Sequence, residues 1–180
     1  MNKKMSIKAM ALIAIFAAIT CVLAPLSLPI GPVPISLTNL VIYFSLYVLG
    51  TWKGTCSYVI YLLIGLVGLP VFSGFTSGPG KLFGPTGGYL IGFIPLAIIA
   101  GLFIDKFHNK WYMCFAGMVL GTAVCYALGT GWLAYEAHMT FKAALFAGVI
   151  PFIIGDLIKI ILAMFGDPVL KKALVRAHLL

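Results

Sequence analysis

Six long apolar stretches divide the chain: Ile7 to Leu23, Ser36 to Leu49, Thr55 to Leu69, Gly87 to Ile104, Trp111 to Leu133 and Ala143 to Phe165. Within them the apolar residues run on continuously, without the period-two alternation of a barrel strand, so the pattern predicts helices. A helix rises about 1.5 Å per residue, and about 17–20 apolar residues cross a bilayer's hydrocarbon core. The second and third stretches are short and would borrow residues from their flanks. Between the stretches lie Pro25, Pro29, Gly31, Pro32 and Pro34, then the run 50–54, then the glycine-rich run 70–86, then 105–110 and 134–142. Proline and glycine are the expected punctuation of such breaks.

Composition agrees that lipid is the solvent. Hydrophobic residues make up 62% of the 180 positions and charged residues only 9%, against roughly 25% charged in soluble domains. A soluble domain of this size cannot hide that much apolar surface, and in lipid only helices or closed barrels satisfy the backbone. The expectation is an all-α integral membrane protein of six transmembrane helices, forming a single domain over residues 1–180. Lys3, Lys4 and Lys8 at the start of the chain, followed by apolar residues, imitate a signal peptide, but no convincing cleavage site follows, so that stretch is expected to be a retained helix.

Charge changes the picture by giving direction. The net charge of +8 would suit nucleic acid, but the charges sit at the ends of apolar runs, as topology determinants do. With the N-terminus inside, Lys3, Lys4, Lys8, Lys53, Lys106, Lys110, Lys171, Lys172 and Arg176 all face the cytoplasm. Only Lys81 and Lys142 then face out, and Lys159 falls inside the last helix. Basic residues in short loops favour the cytoplasmic side, so both termini are expected there. The outer loops, 25–35 and 70–86, are long and nearly uncharged, and irregular backbone beside a membrane is tolerated where it lines a cavity. A ligand is expected under them.

Candidate chemistry is sparse. Gly155-Asp156-Leu157-Ile158-Lys159 places an acid and a base three residues apart, on one face of an otherwise apolar helix. Each such charge costs roughly 2.5–3.5 kcal/mol at the bilayer centre on insertion scales. A ligand site, a self-neutralising pair and a proton relay all fit the pattern. Pro151, one turn earlier, should bend or widen the helix. The run from Ser73 to Tyr89 is rich enough in glycine to approach a ligand closely. It is not a phosphate loop, because Gly74 and Gly80 enclose five residues and Lys81 is followed by Leu82. Asn39, Tyr43 and Tyr47 recur every four residues on the second helix, either lining a cavity or packing. Tyr89, Tyr126, Trp132 and Tyr135 fit interfacial anchors or ligand stacking alike. Small residues at four-residue spacing (Ala14 and Ala18; Gly84, Gly88 and Gly92; Gly117 and Gly121) mark close helix contacts or, on the first helix, a docking face. The cysteines Cys21, Cys56, Cys114 and Cys125 read as small core residues, and His108, His138 and His178 are isolated. Neither a metal site nor catalysis is expected, and no cofactor.

At Gly84-Pro85-Thr86-Gly87-Gly88-Tyr89-Leu90, followed by Gly92-Phe93, the chain resembles the BioY family, the biotin-specific substrate-binding subunits of energy-coupling-factor transporters. The resemblance extends through Pro34-Ile35-Ser36-Leu37-Thr38, through Gly68-Leu69-Pro70-Val71-Phe72, and through Pro151 with Gly155-Asp156 and Lys159. It implies the six-helix fold of those subunits, in the plasma membrane of a prokaryote, with biotin held near the outer surface under the first and third loops. The family's acid–base pair falls on Asp156 and Lys159. Its third-loop polar contact falls within Phe75 to Lys81, where, with no asparagine present, Thr76 or Ser77 beside Gly78 is expected. Tyr89, Asn39 and Tyr43 are expected to complete the pocket. Ala14 and Ala18 match the family's docking stripe for a transmembrane coupling protein, which works with two cytoplasmic ATPases. A subunit for another vitamin, a stand-alone proton-coupled carrier and a structural role are the alternatives.

Overall fold

The computed structural model describes residues 6–29, 33–108 and 110–176. Lys3, Lys4, Gly31, Pro32 and His178, and the side chains of Lys171 and Lys172, lie outside the described residues. Among the described residues eight helices follow one another: α1 (Ile7–Leu23), α2 (Thr38–Leu49), α3 (Thr51–Leu66), α4 (Pro79–Leu82), α5 (Gly87–Phe107), α6 (Trp111–Glu136), α7 (Phe141–Gly148) and α8 (Ile150–Arg176). Among the described residues the β pairing amounts to two isolated antiparallel bridges, Leu28 with Ile35 and Phe72 with Thr76. The all-helical expectation holds.

Local chemistry sets the helix ends. Ser6 opens α1, its Oγ accepting from the Ala9 N–H at 3.2 Å, and Thr140 opens α7 in the same way toward Ala143 at 3.3 Å. Such caps satisfy N–H groups that a helix start leaves unpaired. The break expected over residues 50–54 shrinks to one residue. Gly50 turns the chain at φ +78°, and α3 starts at Thr51 rather than Thr55. The reason lies far away in sequence: Asp105 of α5 accepts from the Thr51 N–H at 3.0 Å and the Thr51 hydroxyl at 2.6 Å. The third expected stretch also ends earlier, at Leu66, and the glycine-rich loop contains the short helix α4.

The last expected helix is two helices. α7 ends at Gly148, and α8 continues at a bend of 41° from it. Val149 takes the break, with φ −128° and ψ −57°. Pro151 explains the position: it has no N–H to donate, and its ring crowds the carbonyl a turn earlier. In the first turn of a new helix that missing donor does no harm. The bend anticipated near Pro151 is present.

α5 and α6 lie against each other along their lengths, and glycines make the contact close. A Cβ on Gly88 would strike Trp132, one on Gly117 would strike Phe103, and one on Gly121 would fall 2.9 Å from the Leu96 carbonyl. The glycine stripes are therefore internal packing. α2 packs on α3, α5 and α8, and α1 rests on α2 and α3. Ala14 and Ala18 point outward, beside exposed Ile15, Ile19 and Val22. Two helices, α5 and α6, are long and apolar enough to cross a membrane, and the bent α7–α8 pair makes a third. α1 and α2 are shorter apolar helices.

Candidate functional site

The acid–base pair of α8 lies inside the protein. Asp156 and Lys159 are 9% and 8% exposed, and Lys159 Nζ stands 2.9 Å from Asp156 Oδ1. Neither charge relies on the other alone. The Tyr126 hydroxyl on α6 donates to Asp156 Oδ2 at 2.6 Å, and Lys159 Nζ donates to the Ser36 carbonyl at 2.7 Å. A buried ion pair offsets its desolvation only when further hydrogen bonds satisfy what the pair leaves over. Here those bonds come from α6 and from the segment entering α2. An ammonium has three donors and a carboxylate about four acceptor positions. The described contacts use two of the former and two of the latter, so the pair retains capacity for a ligand.

The pair forms one wall of a cavity of about 60 Å³. Val33, Pro34, Ser36 and Asn39 line it from the first loop and α2, and Ser73 lines it from the glycine-rich loop. Thr86, Tyr89, Leu90, Phe93 and Leu96 come from α5 and its cap; Thr122, Cys125 and Tyr126 come from α6. Gly148 and Phe152 flank the α7–α8 break. Most of this surface is aromatic or aliphatic, with polar groups at a few places, which is the usual make-up of a small-molecule site. A second, more apolar cavity of about 120 Å³ opens between α6 and α8 and shares Thr122, Tyr126 and Asp156 with the first.

Of the expected site residues, Asp156, Lys159, Asn39 and Tyr89 meet at the cavity. Asn39 is buried, its Oδ1 accepting from the Leu40 N–H at 3.1 Å. The Tyr89 hydroxyl lies 3.3 Å from Thr130 Oγ1, and its ring fits against Gly129 and Gly148, where any Cβ would collide with it. Tyr43 stands one layer back, fully buried, its hydroxyl 2.7 Å from Thr122 Oγ1. Thr76, Ser77 and Gly78 are not on the cavity wall. The bridge between Phe72 and Thr76 makes a tight turn, with Gly74 at φ +73° and Phe75 at φ +57°, that carries the tip outward. Thr76 spends its hydroxyl on the Ser73 carbonyl at 3.0 Å, and Gly78 donates its N–H to Gly65 at 2.8 Å. Ser73 occupies the wall instead.

The sequence pattern leaves Tyr126 between interfacial anchoring and ligand stacking and does not single out Thr122 or Thr130. A signal existed. Thr122, Tyr126 and Thr130 recur every four residues on α6, and each bonds an expected site residue of a different helix: Tyr43 of α2, Asp156 of α8 and Tyr89 of α5. Trp132 donates its Nε1–H to the Gly84 carbonyl at 3.0 Å and so holds the glycine-rich run.

Against known proteins the match is extensive. The model of the BioY family covers residues 1–176. The chain belongs to the BioY family. A biotin transporter BioY from Thermotoga maritima is 42% identical over 159 residues, which are 88% of this chain and 92% of that one. A biotin transporter BioY2 from Lactococcus lactis is 37% identical over 167 residues, covering 92% and 89% of the two chains. A solved structure, the S-component for biotin from an ECF-type ABC transporter, superposes with a TM-score of 0.85 at 30% identity, covering 96% of this chain and 95% of that one. The BioY fold is thus that of an S-component, and this chain is a membrane protein of a transporter family.

Proposed function

We propose that this chain captures biotin at the outer face of the membrane and delivers it as the substrate-binding subunit of an ATP-driven energy-coupling-factor transporter. The observation that carries the reading is the buried Asp156–Lys159 pair, with bonding capacity to spare, on the wall of an otherwise apolar cavity in a chain of this family. Biotin has matching chemistry: a ureido ring with two N–H donors and a polar carbonyl, an apolar sulfur ring, and a carboxylate tail. Asp156 accepts a ureido N–H, and Lys159 gives its third N–H to a ligand oxygen, either the ureido carbonyl or the tail carboxylate. Tyr89 and Phe93 cover the apolar middle, and Asn39 and Ser73 supply further polar contacts. Thr76, Ser77 and Gly78 join only if the third loop moves inward. The cavity of about 60 Å³ is well below the roughly 300–1,000 Å³ of small-molecule pockets, so it widens to admit the ligand.

The remaining parts of the reading concern placement and partners. Six crossings, by α1, α2, α3, α5, α6 and the α7–α8 pair, leave both termini in the cytoplasm of a prokaryotic cell. The basic residues Lys53, Lys106 and Lys110 at the α2–α3 and α5–α6 turns support that orientation. The outward Ala14–Ala18 face of α1 docks on a transmembrane coupling protein, and two cytoplasmic ATPases hydrolyse ATP. Labelled biotin uptake tests the whole. Cells lacking their own biotin importer, given this chain and a coupling module, are expected to take up biotin without competition from excess thiamine or riboflavin. Uptake abolished by either competitor would reassign the ligand.

A further inference from the structure

We propose that Tyr126 is a positioning residue of the binding site, its hydroxyl holding the Asp156 carboxylate in the plane from which it receives a ligand N–H. The proposal rests on the reading that Asp156 is a ligand acceptor. The two carboxylate oxygens are held by different helices: Oδ1 by Lys159 of α8 itself and Oδ2 by Tyr126 of α6. The terminal torsion of an aspartate is broad, so one contact at Oδ1 leaves the carboxylate free to turn about that point. The second contact, at 2.6 Å, lies in the short range of hydroxyl-to-carboxylate bonds, and it fixes the plane.

The surroundings make that orientation matter. Asp156 and Tyr126 both stand between the ligand cavity and the more apolar one between α6 and α8. The latter is walled by Val119, Ala123, Ile153, Leu157 and Ile160, and offers a turned carboxylate no ligand donor. Without the Tyr126 hydroxyl, Asp156 divides its time between the two sides. Tyr126 touches the acceptor and acts through it, so its removal should cost only those ligands that use Asp156.

Tyr126→Phe removes one oxygen and leaves the ring, and a melting temperature near wild type is the check that it folds. Titration calorimetry on the purified full chain then compares biotin with its two isomers methylated at one or the other ureido nitrogen. Biotin Kd is expected to rise about tenfold or more, the loss typical of a charge-assisted hydrogen bond. The isomer lacking the N–H aimed at Asp156 already binds wild type weakly, and its Kd should change less than twofold in the variant. Biotin affinity within twofold of wild type, or an equal loss for biotin and both isomers, would overturn the proposal. Failure of wild type to bind biotin would instead overturn the proposed function, and full affinity in Asp156→Asn would overturn the role of Asp156.

Discussion

The Lys159 ammonium on α8 donates to the backbone carbonyl of Ser36, 2.7 Å away and 123 residues earlier in the chain. One side chain therefore closes an ion pair with Asp156 and anchors the end of the first loop where it enters α2. Next to that anchor, Leu28 and Ile35 exchange backbone hydrogen bonds of 2.9 Å, and the Gly74 N–H reaches the Pro25 carbonyl at 3.1 Å. The Lys159 ammonium and the first and third loops, which both contribute to the cavity wall, belong to one hydrogen-bonded unit.

Lys159→Met should loosen that unit even without ligand. The variant loses a charge-assisted bond worth about 1.5–3 kcal/mol at the Ser36 carbonyl. Hydrogen exchange of the ligand-free protein should show amides near Ile35 exchanging about tenfold faster or more, with α5 and α6 unchanged. Unchanged exchange near Ile35 would separate the loops from Lys159.

Asp156→Asn should weaken biotin binding by about 10- to 100-fold, the range for a lost bond to a charged group. It also leaves Lys159 buried beside a neutral partner, a change that costs about 3–5 kcal/mol when a buried pair is broken outright. Titration should therefore show weaker binding and a melt in detergent a lower melting temperature.

The third loop separates two outcomes. Ser73→Ala removes a hydroxyl from the cavity wall, whereas Ser77→Ala alters a residue away from it. Biotin affinity should fall more in the first than in the second. The reverse order would mean that the loop rearranges on binding to bring Ser77 inward.

Two glycines of the α5–α6 seam should behave differently. A methyl at Gly129 runs into the Tyr89 ring on the cavity wall, while one at Gly117 runs into Phe103, away from the cavity. Overpacking of this kind costs about 1–3 kcal/mol, so both alanine variants should melt earlier. Only Gly129→Ala should also lose biotin affinity.

Replacing Ala14 and Ala18 by leucine should leave binding to the isolated chain intact and stop uptake in cells that supply the coupling module. Those residues are exposed on α1 and do not line the cavity. Uptake at the wild-type rate would move the docking face elsewhere.

The legible parts of the site are those whose signal is local. Asp156 and Lys159 stand out because charge inside an apolar helix is costly and their spacing puts them on one face. Glycine stripes on α5 and α6 were readable for the same reason. What the sequence conceals is set by distant partners. The Ser36 carbonyl is backbone and carries no residue signature, and Tyr126 acquires its role only when α6 meets α8. The start of α3 depends on Asp105, more than fifty residues on. Thr76 and Ser77 suit a ligand by chemistry, but the turn at Gly74 and Phe75, which sequence does not reveal, leaves them off the cavity wall and puts Ser73 on it.

The central claim is that this chain alone is a biotin-capture site, and titration calorimetry of the purified protein with biotin tests it most directly. One biotin bound tightly per chain, with no heat from thiamine or riboflavin, is the predicted result. A folded, monodisperse sample that binds no biotin would contradict it.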